Sequence, residues 1–174
     1  MTTALDDLNN TQNVGTGSSV TAAWFDKVRD NLETLARMPG CIVTRSTAQS
    51  IPNASPTAVQ FNAADERDTD AYHDTVTNNT QMKVPAGLGG WYEVGAYLQF
   101  ASGSANRVLS FRVNGSTVTD GDTWDAGTSS TGTVTALPLK LNATDYVEIL
   151  TYQYSGGALN LNKARAWMRL VALA

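Results

Sequence analysis

WYEVGAYLQFA (91–101) decides the fold class of this chain. Tyr92, Val94, Ala96, Leu98 and Phe100 alternate with Glu93, Gly95, Tyr97 and Gln99. A period of two places the first set on one face of a β-strand and the second on the other, so one face goes to a core. RVLSFRV (107–113) alternates likewise, with Leu109, Phe111 and Val113 on one side. It ends at Asn114-Gly115, a dipeptide that tolerates positive φ and suits a two-residue type I′ hairpin turn.

The same pattern spreads over the rest of the chain. CIVTRST (41–47), TAVQF (57–61), QMKV (81–84), TGTVTALPLKL (131–141), YVEILTYQY (146–154) and ARAWMRLVAL (164–173) read as further strands, separated by Gly-, Asn-, Asp- and Ser-rich turns. About eight strands with no helix among them predict a two-sheet antiparallel sandwich, a jelly roll, over 41–174. Several strands are apolar on both faces. Tyr146, Leu150, Tyr152 and Tyr154 share one face of their strand while Val147 and Ile149 share the other; Trp167, Val171 and Leu173 oppose Met168 and Leu170. A monomeric sandwich needs one apolar face per sheet, so the second face points to burial against another subunit, although single exposed hydrophobes are ordinary on monomers.

Ahead of the strands, TAAWFDKVRDNLETLARM (21–38) reads as a helix, with Thr21 as N-cap and Pro39-Gly40 as stop. Phe25, Val28, Leu32 and Leu35 follow a 3-4-3 spacing, the seam of a short coiled coil, with Trp24 beside it. The competing reading is an amphipathic helix docked on its own domain. At roughly 26 Å the helix is too short to associate stably alone, so the following domain must supply most of the affinity. Residues 1–20 are polar with scattered aliphatics, Leu5, Leu8, Val14 and Val20. We expect an extended anchoring arm that orders only against a neighbouring subunit or a larger assembly.

The bulk properties narrow the partners. The 174 residues suit one domain plus an appendage. A net charge of −4 and a pI near 4.8 give no footprint for nucleic acid or anionic lipid. The N-terminus has neither a basic region nor an apolar run, and no stretch is long enough to span a bilayer, so no secretory signal and no membrane partner is expected. Cys41 is the single cysteine, which excludes an internal disulfide and a cysteine-based zinc site.

Candidate chemistry concentrates in FNAADERDTDAYHD (61–74), which holds five acidic residues and the one histidine, His73. Read from Asp68 as a calcium loop, it has Tyr72 at the fifth position, His73 where glycine belongs and Asn79 at the twelfth, so the EF-hand pattern fails. Three readings remain: a looser Ca²⁺ site drawn from Asp65, Glu66, Asp68, Asp70 or Asp74; a transition-metal site of His73 with carboxylates, poorly supplied by a single histidine; and a loop between strands in which His73 and an Asp make bonds that fix the crossover. No nucleophile elbow accompanies His73, and the glycine-rich pieces lack a P-loop lysine, so no catalytic residue and no resident cofactor is expected. DGDTWDAGTSSTG (120–132) carries Trp124 outside the strand pattern, either as a platform for sugar or as a plug at an interface.

YHDTVTNNTQMKVPAGLGGWYEVGAYLQF (72–100), NRVLSFRVNG (106–115), NATDYVEILTYQYSG (142–156) and the closing ARAWMRLVAL, in this order and spacing, resemble the C1q/TNF-like jelly roll as it occurs in bacteriophage virion proteins. SSVTAAWFDKVRDNLETLARMP (18–39) is similar to the helical lead-in before surface modules of phage particles. The glycines of GLGGWYEV depart from the usual strand start. The resemblance implies a homotrimer whose subunits pack aromatic strand faces around a threefold axis. Phe25, Val28, Leu32 and Leu35 would form the seam, with Tyr92, Tyr97, Tyr152, Tyr154 and Trp167 on inter-subunit faces. It further implies a non-enzymatic protein of the virion surface, a capsid decoration or head-fibre protein bound to the major capsid protein. The alternative is a tail-associated module, bound to tail proteins, that touches a host glycan.

Overall fold

The structure is a computed structural model that describes residues 21–102, 106–118, 124–125, 131–133 and 137–173, with 35, 124–125 and 131–133 described by their backbone. Helix α1 (Ala22–Arg37) is followed by β1 (Gly40–Thr44), β2 (Gln49–Ile51), β3 (Thr57–Ala58), β4 (Arg67–Asp68), β5 (Gln81–Lys83), β6 (Gly90–Phe100) and β7 (Arg107–Val113). Then come β8 (Ser116–Thr117), β9 (Trp124–Asp125), β10 (Thr131–Thr133), β11 (Leu137–Leu141), β12 (Tyr146–Gln153) and β13 (Leu159–Leu173). One sheet runs β10-β6-β13-β1-β4, with β11 also on β6 and β2 on β13. The other runs β3-β12-β7-β8, with β5 on β12 and β9 on β7. Every strand pairing is antiparallel, so the chain is the expected sandwich, a C1q/TNF-like jelly roll preceded by one short helix.

The alternation read in the sequence becomes the wall of the core. Tyr92, Val94, Ala96, Leu98 and Phe100 of β6 face inward beside Ala164, Ala166, Met168 and Leu170 of β13 and Cys41 and Val43 of β1. From the second sheet, Leu109, Phe111, Val147 and Ile149 meet them. Asn114 and Gly115 have φ of 50° and 82° between the paired residues Val113 and Ser116, the left-handed pair that a type I′ turn needs.

Several strand expectations change: CIVTRST is strand only to Thr44, and TGTVTALPLKL gives two strands, β10 and β11. TAVQF keeps only Thr57–Ala58 as strand, because the Gln49 side chain replaces a neighbour: its Nε2 donates to the Ala58 carbonyl at 2.8 Å and its Oε1 accepts from the Gln60 amide at 3.0 Å. β13 starts at Leu159 rather than at residue 164, since Leu159–Leu161 pairs with the unexpected β2. A two-residue strand, β4, sits within the acidic segment and pairs with β1.

Candidate assembly interface

Helix α1 starts where the Thr21 carbonyl and Oγ1 take the Trp24 amide, at 3.1 and 3.3 Å. It turns Asn31 and Thr34 inward and leaves its apolar edge outward: Phe25 is 60% exposed and Leu32 61%, with Trp24 edge-on to Phe25 at 5.4 Å between ring centres. The reading in which this edge docks on its own domain is therefore overturned for Phe25 and Leu32. Val28 is half-buried, and the Leu35 side chain lies outside the described residues, as do Leu5, Leu8, Val14 and Val20 of the arm.

The outer face of the first sheet carries a second set of aromatic and apolar side chains. Trp167 of β13 pairs in register with Gly95 of β6, and its indole occupies the space beside that residue. A Cβ built on Gly95 would sit 2.0 Å from the ring, so glycine is what admits the tryptophan. Tyr97 is half-buried in the next outward row of β6, opposite Arg165. Two arginines of this face are paired within the subunit, Arg165 with Glu66 at 2.5 Å and Arg169 with Glu93 at 2.8 Å. Trp91, Val171 and Leu173 are exposed at the same end of the sheet as Met38, the residue after the helix. Trp91 belongs to this surface too, and its place in the outward row with Glu93, Gly95 and Tyr97 is readable in the sequence.

Tyr152 and Tyr154 lie elsewhere, on the outer face of the second sheet. Their rings meet edge to face at 5.5 Å and, with Leu150, Ala54 and Pro56, border a shallow concavity; Tyr154 is 53% exposed. Trp167 and Tyr97 are thus on one side of the sandwich and the tyrosine pair on the other. Tyr92 belongs to neither surface, which corrects the expectation. It is fully buried, its hydroxyl donates to the Leu88 carbonyl at 2.6 Å and stands 3.2 Å from the Tyr72 hydroxyl, and burial pushes its phenol up to about 12. Its parity on β6 is that of the core row.

The acidic segment turns its side chains to separate tasks. Asp65 takes the His73 Nδ1 at 2.9 Å, and the His73 Nε2 faces the Asn79 carbonyl at 3.3 Å. Asp68 accepts the amides of Asp70, Tyr72 and His73. Asp74 accepts those of Val76 and Thr77, which hold its carboxyl below the usual range. Asp70 accepts the Thr69 hydroxyl at 2.7 Å and faces Arg37 at 3.4 Å. Among the described residues no group of three His, Cys, Asp or Glu converges as a metal site would require. Burial raises the Asp65 carboxyl, an effect that His73 opposes. Trp124 begins β9, paired with Leu109; its side chain is outside the described residues. No helix among the described residues is long and apolar enough to cross a membrane.

No protein-family model and no curated protein matches the chain. Among solved structures, the chain is similar to the PRD1 vertex protein P5 at a TM-score of 0.58 and 13% identity, covering 78% of this chain and 98% of that one. The globular domain of zebrafish complement 1qA protein aligns at 0.54 and 14% identity, covering 78% and 99%. Murine APRIL at pH 8.0 aligns at 0.45 and 12% identity, over 75% and 99%. At these identities the likeness is one of fold.

Proposed function

We propose that this chain is a non-enzymatic structural protein of a phage virion. Three copies form a trimer of jelly rolls that decorates or extends from the particle surface and stabilises it. One observation carries the reading: Phe25 and Leu32 stand three-fifths exposed on a helix whose polar residues Asn31 and Thr34 are turned inward. An apolar edge presented to water by an otherwise acidic chain is a surface for association.

The two aromatic faces fit the same assembly. A cyclic trimer is built from heterologous contacts, in which each copy presents two different patches, one to each neighbour. Trp167 with Tyr97 on one side and Tyr152 with Tyr154 on the other supply two such patches. Arg165 and Arg169, matched by Glu66 and Glu93 inside each subunit, bring no net charge of their own to a threefold axis. The vertex protein among the structural neighbours supports the virion setting. A protein that binds only the assembled shell stabilises that shell by mass action.

Quantitative mass spectrometry of purified particles tests this. Copies on the scale of the capsid lattice are expected. A handful per particle would move the chain to the tail and replace decoration with host attachment; absence from particles would overturn the virion reading.

A further inference from the structure

Neither reading of the acidic segment as a calcium site or as a plain crossover accounts for its contact with the helix. Arg67 Nη2 donates to the Arg37 carbonyl and, at 2.7 Å, to the Met38 carbonyl. Both are carbonyls at the negative end of α1, which the helix itself leaves without amide partners. From the helix side, Arg37 reaches back to Asp70, whose carboxylate is only 1% exposed. Thr69 closes the base: its Oγ1 accepts the Gly40 amide at 3.0 Å and its own amide donates to the Gly40 carbonyl at 3.2 Å. Met38, between helix and strand, has φ of 47°, a left-handed conformation that a non-glycine residue rarely holds unless its surroundings impose it.

We propose that Arg67 and Asp70 are positioning residues for the assembly interface: together they clamp the C-terminal end of α1 and set the direction in which the Phe25–Leu32 seam leaves the jelly roll. The rest of the segment makes the clamp stiff. Asp68 gathers three amides of the following turn, and the Asp65–His73 pair ties that turn back to the loop ahead of β4. With its base held by two arginines and Asn31 and Thr34 buried on its other side, the helix keeps the apolar edge of Phe25 and Leu32 free for neighbours. The clamp rests on the assembly reading only for its purpose; its geometry is testable in a single copy.

The experiment is a distance measurement by pulsed electron paramagnetic resonance in the full chain. Spin labels are placed at Glu33→Cys on the helix and Ser50→Cys on β2, both exposed, and diluted with unlabelled protein so that only distances within one copy register. Cys41 stays unlabelled, because it is buried and burial pushes its thiol well above the usual range. A single narrow distance is expected in the parent chain. It should be lost in Arg67→Ala with Asp70→Asn while the sandwich still unfolds at the parent temperature, and Arg67→Lys should retain it. Should Asp70→Asn fail to fold, Arg67→Ala alone decides, since the Arg67 side chain lies outside the core. An unchanged narrow distance in the variants, or a broad one in the parent, overturns the clamp. Sedimentation of the same samples separates the two ideas: a monomeric parent with a narrow distance defeats the assembly reading and leaves the clamp standing.

Discussion

Replacing Phe25 and Leu32 together by alanine isolates the seam. Both are about three-fifths exposed in one copy, so little of either supports the monomer, and alanine is the best helix former. Fully burying a Phe or Leu side chain is worth roughly 1.5–3 kcal/mol, so covering the exposed part of each contributes about 1–2 kcal/mol per copy. Two residues in three copies then amount to roughly 6–12 kcal/mol per trimer. The concentration at which half the chains are trimeric varies as the square root of the dissociation constant, so it should rise roughly 10²- to 10⁴-fold. Sedimentation equilibrium of parent and variant reads this directly. Thermal unfolding of dilute, monomeric protein should stay within about 0.5 kcal/mol of the parent, as for surface changes elsewhere. An unchanged association midpoint would refute the seam, and so would a large loss of monomer stability, which would mean that the edge is packed inside its own subunit.

Three other perturbations probe single features. Gly95→Ala brings a methyl within 2.0 Å of the Trp167 ring and should destabilise the sandwich by about 1–3 kcal/mol while weakening association; equal stability in urea would deny the packing of indole on glycine. Tyr92→Phe deletes the donor to the Leu88 carbonyl and a partner of Tyr72, and should cost about 1–3 kcal/mol of folding stability with no change in trimer mass, since Tyr92 is core and not interface. Asp145 is held below its usual value of 3.8, chiefly by the Asn114 amide at 2.7 Å. A depressed carboxyl contributes stability that is fully present above the unfolded value and lost as pH falls through the folded one. Asp145→Asn should therefore flatten the acid limb of the stability profile below about pH 4, measured by urea unfolding at stepped pH; a limb as steep as the parent's would count against the contact between Asn114 and Asp145.

The strands that were legible are those whose burial is one-sided or whose turn is chemically specified. β6 shows alternation over its whole length, and β7 runs into Asn114-Gly115, which states its own backbone angles. β2 and β4 are three and two residues long, too short for any period to emerge, and exist because β13 and β1 offer them hydrogen bonds. Gln49 took over a ladder position with its side chain, a substitution that no propensity anticipates. Tyr92 was misplaced for another reason: tyrosine is at home in cores and at interfaces alike, and its residue type was weighed above its parity on β6, which is that of the core row.

The sequence alone determined the class of fold, the existence of the helix and the apolar spacing of its edge. All three follow from periodicities of 2 and 3.6 that the backbone imposes on any local stretch. Tertiary structure decided which surfaces those periodicities serve. That Trp167 lies on Gly95, that the two aromatic faces point to opposite sides, and that Arg67 and Asp70 hold a helix end some thirty residues upstream all depend on register and hydrogen bonding between segments remote in sequence. Such pairings are settled by the packing of the whole sandwich, because a one-residue slip would turn each strand's core face to solvent.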